Sequence, residues 1–186
     1  MPDRTDDGQV ERLRARDGEA WEVVYLDLYP RLRAFAARRV GEHVVADIVA
    51  TTMTKAVASI DRFDSSGTGL AAWVFGICRH VVADHHRATA RELRRPTPVA
   101  ESVAGADHTI EVDEEEQAMR RAYGLLSGED REVLDLRVIA GLTADEVGAL
   151  LGRKAGAIRM AQSRALDRLR DRFKDEFKEV YDDDRQ

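Results

Sequence analysis

Apolar residues recur along this chain at helical spacing, and almost nowhere do they alternate as in a strand. Trp21, Val24, Tyr25 and Leu28 fall at i, i+3, i+4 and i+7, which places them on one side of a helix. Pro30 interrupts or restarts that helix, and Leu32, Phe35, Ala36 and Val40 continue the stripe up to Gly41. A further helix carries Val45, Ile48, Val49, Met53, Ala56 and Val57 to about Ile60. The segment from Asp61 to Gly69, DRFDSSGTG, has the small polar residues of a loop. Beyond it, Leu70, Trp73, Val74, Ile77 and Val81 define a helix that runs into a basic, His-containing end near Arg87. The periodicity then disappears between about Arg95 and Ile110, where Pro96, Pro98 and Gly105 mark a linker.

The second half is punctuated by helix starts and stops. Ser127 with Asp130 three residues on resembles a helix-start box, followed by Val133, Leu134, Leu136 and Val138 and ended by Gly141. Thr143 with Glu146 is a stronger capping box, opening a short helix with Val147, Leu150 and Leu151 that stops at Gly152. A last helix buries Ile158, Ala161, Ala165 and Leu169. The predicted fold is all-α: two small helical domains, residues 9–94 and 111–172, joined by a flexible linker over 95–110 and followed by an acidic tail over 173–186.

A short helix, a glycine-containing turn and a longer basic helix form a helix-turn-helix, whose second helix lies in the DNA major groove. With Ile158, Ala161, Ala165 and Leu169 turned inward, Arg159, Gln162 and Ser163 share the outward face, flanked by Met160 and Arg164. Arg donates two hydrogen bonds to guanine and Gln pairs with adenine, so these side chains suit base reading. Arg153, Lys154 and Arg168 would neutralise phosphates.

Net charge argues the other way until its distribution is considered. The formal charge is -6, yet basic residues cluster at Arg79, Arg87, Arg91, Arg94 and Arg95 and again from Arg153 to Arg172. Acidic residues occupy the linker and the end of the chain. Cys78 is the single cysteine, so the chain makes no internal disulfide and no cysteine-based zinc cluster, and it reads as cytoplasmic. No apolar run approaches the roughly 20 residues that span a bilayer, so direct membrane insertion is not expected and any membrane link comes through a partner. His80, Asp84, His85 and His86 are the basis of a rival metal-enzyme reading, but no further ligands or base accompany them. Neither an enzyme nor a cofactor or metal is expected.

Two segments resemble one family. The run LLSGEDREVLDLRVIAGLTADEVGALLGRKAGAIRMAQSRALDRLR, Leu125 to Arg170, is similar to the promoter-reading σ4 domain of extracytoplasmic-function (ECF) sigma factors of bacterial RNA polymerase. Independently, ADIV, DRFD and GLAAWVFGICRHVVADHHR, between Val45 and Arg87, resemble their σ2 domain. The resemblance implies a protein that binds core polymerase through its beta and beta-prime subunits and directs initiation at promoter DNA. It places Asp47, Thr51 and Lys55 on the helix that docks on the polymerase clamp. It makes Asp61 to Gly69 the loop that captures a flipped base of the minus-ten element, with Phe63, Ser65, Ser66 and Thr68 as its walls. Arg79, His80 and Arg87 would then face the DNA strand, while Trp73 belongs to the core. The recognition helix, with its flanking phosphate contacts, would read the minus-thirty-five element. The family also implies an anti-sigma partner, often membrane-bound. The competing interpretation is a free-standing helix-turn-helix regulator whose N-terminal helices dimerise or sense a ligand.

Overall fold

A computed structural model of the chain describes residues 7–65, 67–93 and 114–183, with the backbone alone described at 7, 93 and 114 and over 178–183. The expected linker, 95–110, and Ser66 lie outside them. The described residues are helical, and no strand occurs among them. In the first half, α1 (Asp7–Arg14), α2 (Gly18–Ala37), α3 (Glu42–Ser59) and α4 (Leu70–Leu93) pack together. In the second, α5 (Glu114–Gly124), α6 (Gly128–Leu134) and α7 (Ala144–Leu151) pack around α8 (Ala155–Asp183). The boundary expected at residue 172 falls inside α8, so the acidic end begins as a continuation of that helix.

Local chemistry explains most starts and stops. Asp17 caps α2 by accepting from the amides of Glu19 and Ala20, and Arg12 holds the cap by a 2.7 Å ion pair. That hydrogen bond from Arg12, reinforced by the amide of Ala20, keeps the Asp17 carboxyl below its ordinary pKa. Ser127 caps α6 through the amide of Asp130, as its spacing predicts. Gly141 and Gly152 take φ of 64° and 65°, left-handed backbone that stops each helix without a Cβ penalty.

Pro30 neither ends nor restarts a helix: α2 passes through it. Proline costs about 3 kcal/mol in a helix interior. Here the buried stripe of Val24, Leu28, Leu32 and Phe35 runs on both sides of it, and burying each such side chain gains about 1.5–3 kcal/mol. Leu26, whose carbonyl loses its partner, is exposed, so water can replace the missing donor. Tyr25, expected on that stripe, is 40% exposed and packs on Tyr29 instead. The helix pattern also breaks after Leu134. Residues Asp135–Ile139 widen into a π-turn, with Ala140 N–H donating to the Asp135 carbonyl at 2.8 Å, and this rotates Val138 out to solvent.

The two halves share one core. Val133, Leu136, Ala140, Leu142 and Val147 lie in the same buried cluster as Phe35, Val74 and Phe75. Polar bonds cross the same boundary. Arg31 Nε donates to the Ala140 carbonyl at 2.9 Å, Arg79 Nε to Glu132 at 2.9 Å, and Arg39 pairs with the buried Asp135 at 2.6 Å. A second, smaller cluster of Leu126, Leu134 and Ala165, with Tyr123 and Leu169 against it, anchors α8 to its own half.

Candidate nucleic-acid interface

The helix-turn-helix forms because its sequence specifies both the caps and the turn. Thr143 Oγ1 accepts from the Glu146 amide at 3.2 Å, while Glu146 accepts from the Thr143 amide at 2.7 Å, closing the box. Between α7 and α8 the backbone folds back so tightly that a Cβ at Gly148 would lie 2.5 Å from the Arg153 carbonyl oxygen. Only glycine permits that approach. Ile158, Ala161 and Ala165 are buried, and their burial fixes the rotation of α8. Arg159, Met160, Ser163 and Arg164 are consequently exposed along its outer face, as expected from the spacing.

Of the remaining residues assigned to this interface, all but Lys154 are engaged. Gln162 is half-buried, and its side-chain oxygen accepts from Arg137 Nε at 2.8 Å, so pairing both amide groups with adenine requires Arg137 to let go. Arg153 and Arg168 make 2.6 Å ion pairs with Glu129 and Asp130 at the start of α6, whereas Lys154 is exposed. Such pairs contribute about 0–1 kcal/mol near the surface, little enough to be exchanged for phosphate.

The first half places its residues differently. Phe63 is 3% exposed, its ring 5.3 Å from that of Trp73, and its carbonyl accepts from Arg14 at 2.9 Å. It is therefore a core residue and not a wall of the 61–69 loop. A lone aromatic among polar residues suggests an exposed side chain, whereas the chain turns inward there. Ser65 is exposed and Thr68 half-buried, while Ser66 lies outside the described residues. Arg16 pins the start of the loop to α1 by its 2.7 Å pair with Asp61.

On α3, Asp47, Thr51 and Lys55 are all exposed at one-turn spacing, a single face as expected. On α4, His80 is exposed with Nδ1 2.7 Å from the Gly76 carbonyl, and Arg87 is tied to Asp84. The Arg87 hydrogen bond lowers the pKa of Asp84, with the charges of Arg87, Lys55 and His80 adding to it. Arg79 is half-buried against Glu132 and the Leu150 carbonyl. Between α3 and α4 a shallow cleft of about 410 Å³ is lined by Lys55, Ser59, Arg62, Ile77 and His80. It joins Lys55 and His80, which the resemblance assigned to different partners, and adds Arg62, which the sequence did not single out. Among the described residues, no group of three or more His, Cys, Asp or Glu is placed to hold a metal. No helix among them is long and apolar enough to cross a membrane. Cys78 is buried, and burial raises the pKa of its thiol.

Comparison with known proteins connects these faces. The sigma-70 region 2 family model matches residues 24–92, and the sigma-70 region 4 model matches 124–171. The ECF RNA polymerase sigma factor SigD of Mycobacterium tuberculosis is 34% identical over 172 residues, covering 87% of this chain and 81% of SigD. The chain belongs to the ECF family of RNA polymerase sigma factors. The ECF sigma factor ShbA of Streptomyces griseus is similar too, 30% identical over 86% of this chain and 90% of its own. Among solved structures, the sigma factor RpoE in complex with the anti-sigma factor NepR, from Bartonella quintana, matches with a TM-score of 0.61 and 27% identity. That match covers 82% of this chain and 96% of RpoE. CnrH in complex with the cytosolic domain of CnrY shares the fold, with a TM-score of 0.61 over 90% of this chain and 94% of CnrH at 22% identity. A sigma factor is a transcription-initiation regulator rather than an enzyme, and the matches favour that reading over a free-standing helix-turn-helix regulator.

Proposed function

We propose that this ECF sigma factor divides promoter recognition between the outer face of α8 and the cleft between α3 and α4. The observation that carries the proposal is the stripe of Arg159, Met160, Ser163 and Arg164, exposed at the start of a helix whose opposite side is buried. This stripe reads the minus-thirty-five element, with Lys154 and, after exchange of their ion pairs, Arg153 and Arg168 on flanking phosphates. Gln162 joins it when released by Arg137. Asp47, Thr51 and Lys55 dock on the polymerase clamp. Ser65, Ser66 and Thr68 with His80, Arg62, Arg79 and Arg87 hold the unpaired strand of the minus-ten element, where extruding a base costs a few kcal/mol that polar and cationic contacts must offset.

Residues 9–94 and 111–172 serve as the working units of this division, with 95–110 as the tether and the acidic end from 173 onward outside both. The protein works in the cytoplasm, where its polymerase is. Its activity is held in check by an anti-sigma protein, in keeping with the complex of RpoE with the anti-sigma factor NepR. The test is run-off transcription by core polymerase over a pool of genomic promoters, with and without the protein. Protein-dependent start sites preceded by two spaced elements are expected. Promoter shifts by the protein alone, with no effect on polymerase, would instead indicate a free-standing regulator.

A further inference from the structure

The side chain that holds Gln162 also decides what Gln162 can offer a base. Arg137 stands in the π-turn and reaches α8, where its Nε donates to the Gln162 side-chain oxygen at 2.8 Å. Its Nη1 donates to the Leu142 carbonyl. Leu142 is buried, and its amide bonds back to the Leu136 carbonyl at 3.0 Å, immediately before the α7 cap at Thr143. The guanidinium is thus anchored on fixed backbone at one edge and grips the amide with another.

A guanidinium has donors and no acceptor, so only the oxygen of the Gln162 amide can face it. The NH2 group is left over. It bonds to no other described residue, and no buried side-chain polar atom among those residues lacks a partner, so this group is open to solvent. Gln162 lies one turn from the exposed Arg159 and beside the exposed Ser163. Among the described residues Arg137 bonds to neutral oxygens and to no carboxylate, so its charge stands uncompensated behind the amide.

A glutamine that reads adenine accepts from N6 through its oxygen and donates to N7 through its NH2. In the bonded state the oxygen is engaged, and the positive charge beside it opposes the approach of another donor. What the side chain presents is a donor, held in one orientation, which lowers the ordering cost of binding. Guanine matches a donor better than adenine does, because its major-groove edge offers the acceptors O6 and N7 and no donor. We infer that Arg137 is a positioning residue that sets specificity: it presents Gln162 to the major groove as a donor alone and turns its preference from adenine to guanine. The inference rests on the assignment of α8 to the upstream element, and release of Gln162 from Arg137 is then the state that reads adenine.

Competition binding by the reconstituted holoenzyme, over promoters altered one base pair at a time in the upstream element, tests it. Gln162→Ala identifies the base pair that Gln162 meets, as the one whose preference flattens. There the wild type should favour guanine over adenine about tenfold. Arg137→Met, which keeps an aliphatic stem and removes the donors, should bring the two bases level or reverse them at that position alone. Arg137→Lys, which restores the charge, should recover part of the preference. A wild-type preference for adenine there, or no position that responds to Gln162→Ala, would overturn the inference without recourse to any Arg137 variant. So would an Arg137→Met profile that is unchanged, or that falls equally at every position as a lost phosphate contact or damaged packing dictates. Arg159→Ala keeps the two ideas apart. If it relaxes upstream preference while Arg137→Met does not, this inference alone fails; if neither variant alters the preference, the assignment of α8 to the upstream element fails with it.

Discussion

The two regions of this sigma factor proposed to face DNA are built on opposite plans. On α8 the proposed reading face is local: a helix buried through Ile158, Ala161 and Ala165 must show Arg159, Met160, Ser163 and Arg164 to solvent. Around the 61–69 loop the face is tertiary. Phe63 goes to the core, Arg79 to the other half of the molecule, and Lys55, Arg62 and His80 are brought together from two helices and a turn. A local face tolerates single changes in its surroundings, whereas a tertiary one fails when its supporting core fails.

That contrast is broken most forcefully at Phe63. Phe63→Ala should cost about 3–5 kcal/mol by emptying its place beside Trp73, seen as a large drop in the thermal midpoint of the free protein. An unchanged midpoint accompanied by lost promoter opening would return Phe63 to the loop wall. Next in size, Arg159→Ala should weaken promoter binding by about 1–3 kcal/mol and relax sequence preference upstream, with the midpoint unchanged. Competition binding against promoters altered one base at a time measures both.

Smaller effects sharpen the same comparison. Thr143→Ala removes the α7 cap and should destabilise by about 1 kcal/mol, read as a modest shift in a denaturant melt. Acid should act on the first half, where Asp17, Asp61 and Asp84 all have pKa values lowered chiefly by arginine hydrogen bonds. A carboxylate that titrates lower when folded stabilises above its unfolded pKa, 3.8 here, and loses that contribution as pH falls through its folded one. Midpoints followed from pH 7 downward should thus hold until about pH 4 and fall below it.

What was legible in the sequence follows the same division. The caps at Ser127 and Thr143, the stops at Gly141 and Gly152 and the buried face of α8 are spacings of three or four residues, and each appears as the pattern dictates. The course of α2 through Pro30 is decided by a stripe longer than the local signal, so tertiary burial outweighs the proline. The pairing of Arg39 with Asp135 joins residues almost a hundred positions apart, and no periodicity carries that information; nor does a regular helical stripe show the local widening into a π-turn at Asp135–Ile139. Nothing distinguishes Arg31, Arg38 or Arg39 from other surface arginines until the halves are placed together.

The most direct test of two-element recognition is a footprint of the reconstituted holoenzyme on one of its promoters, wild-type beside Arg159→Ala. The division of labour predicts protection at two separated stretches for the wild type and selective loss of the upstream one in the variant. Loss of both stretches together, or of neither, would contradict it.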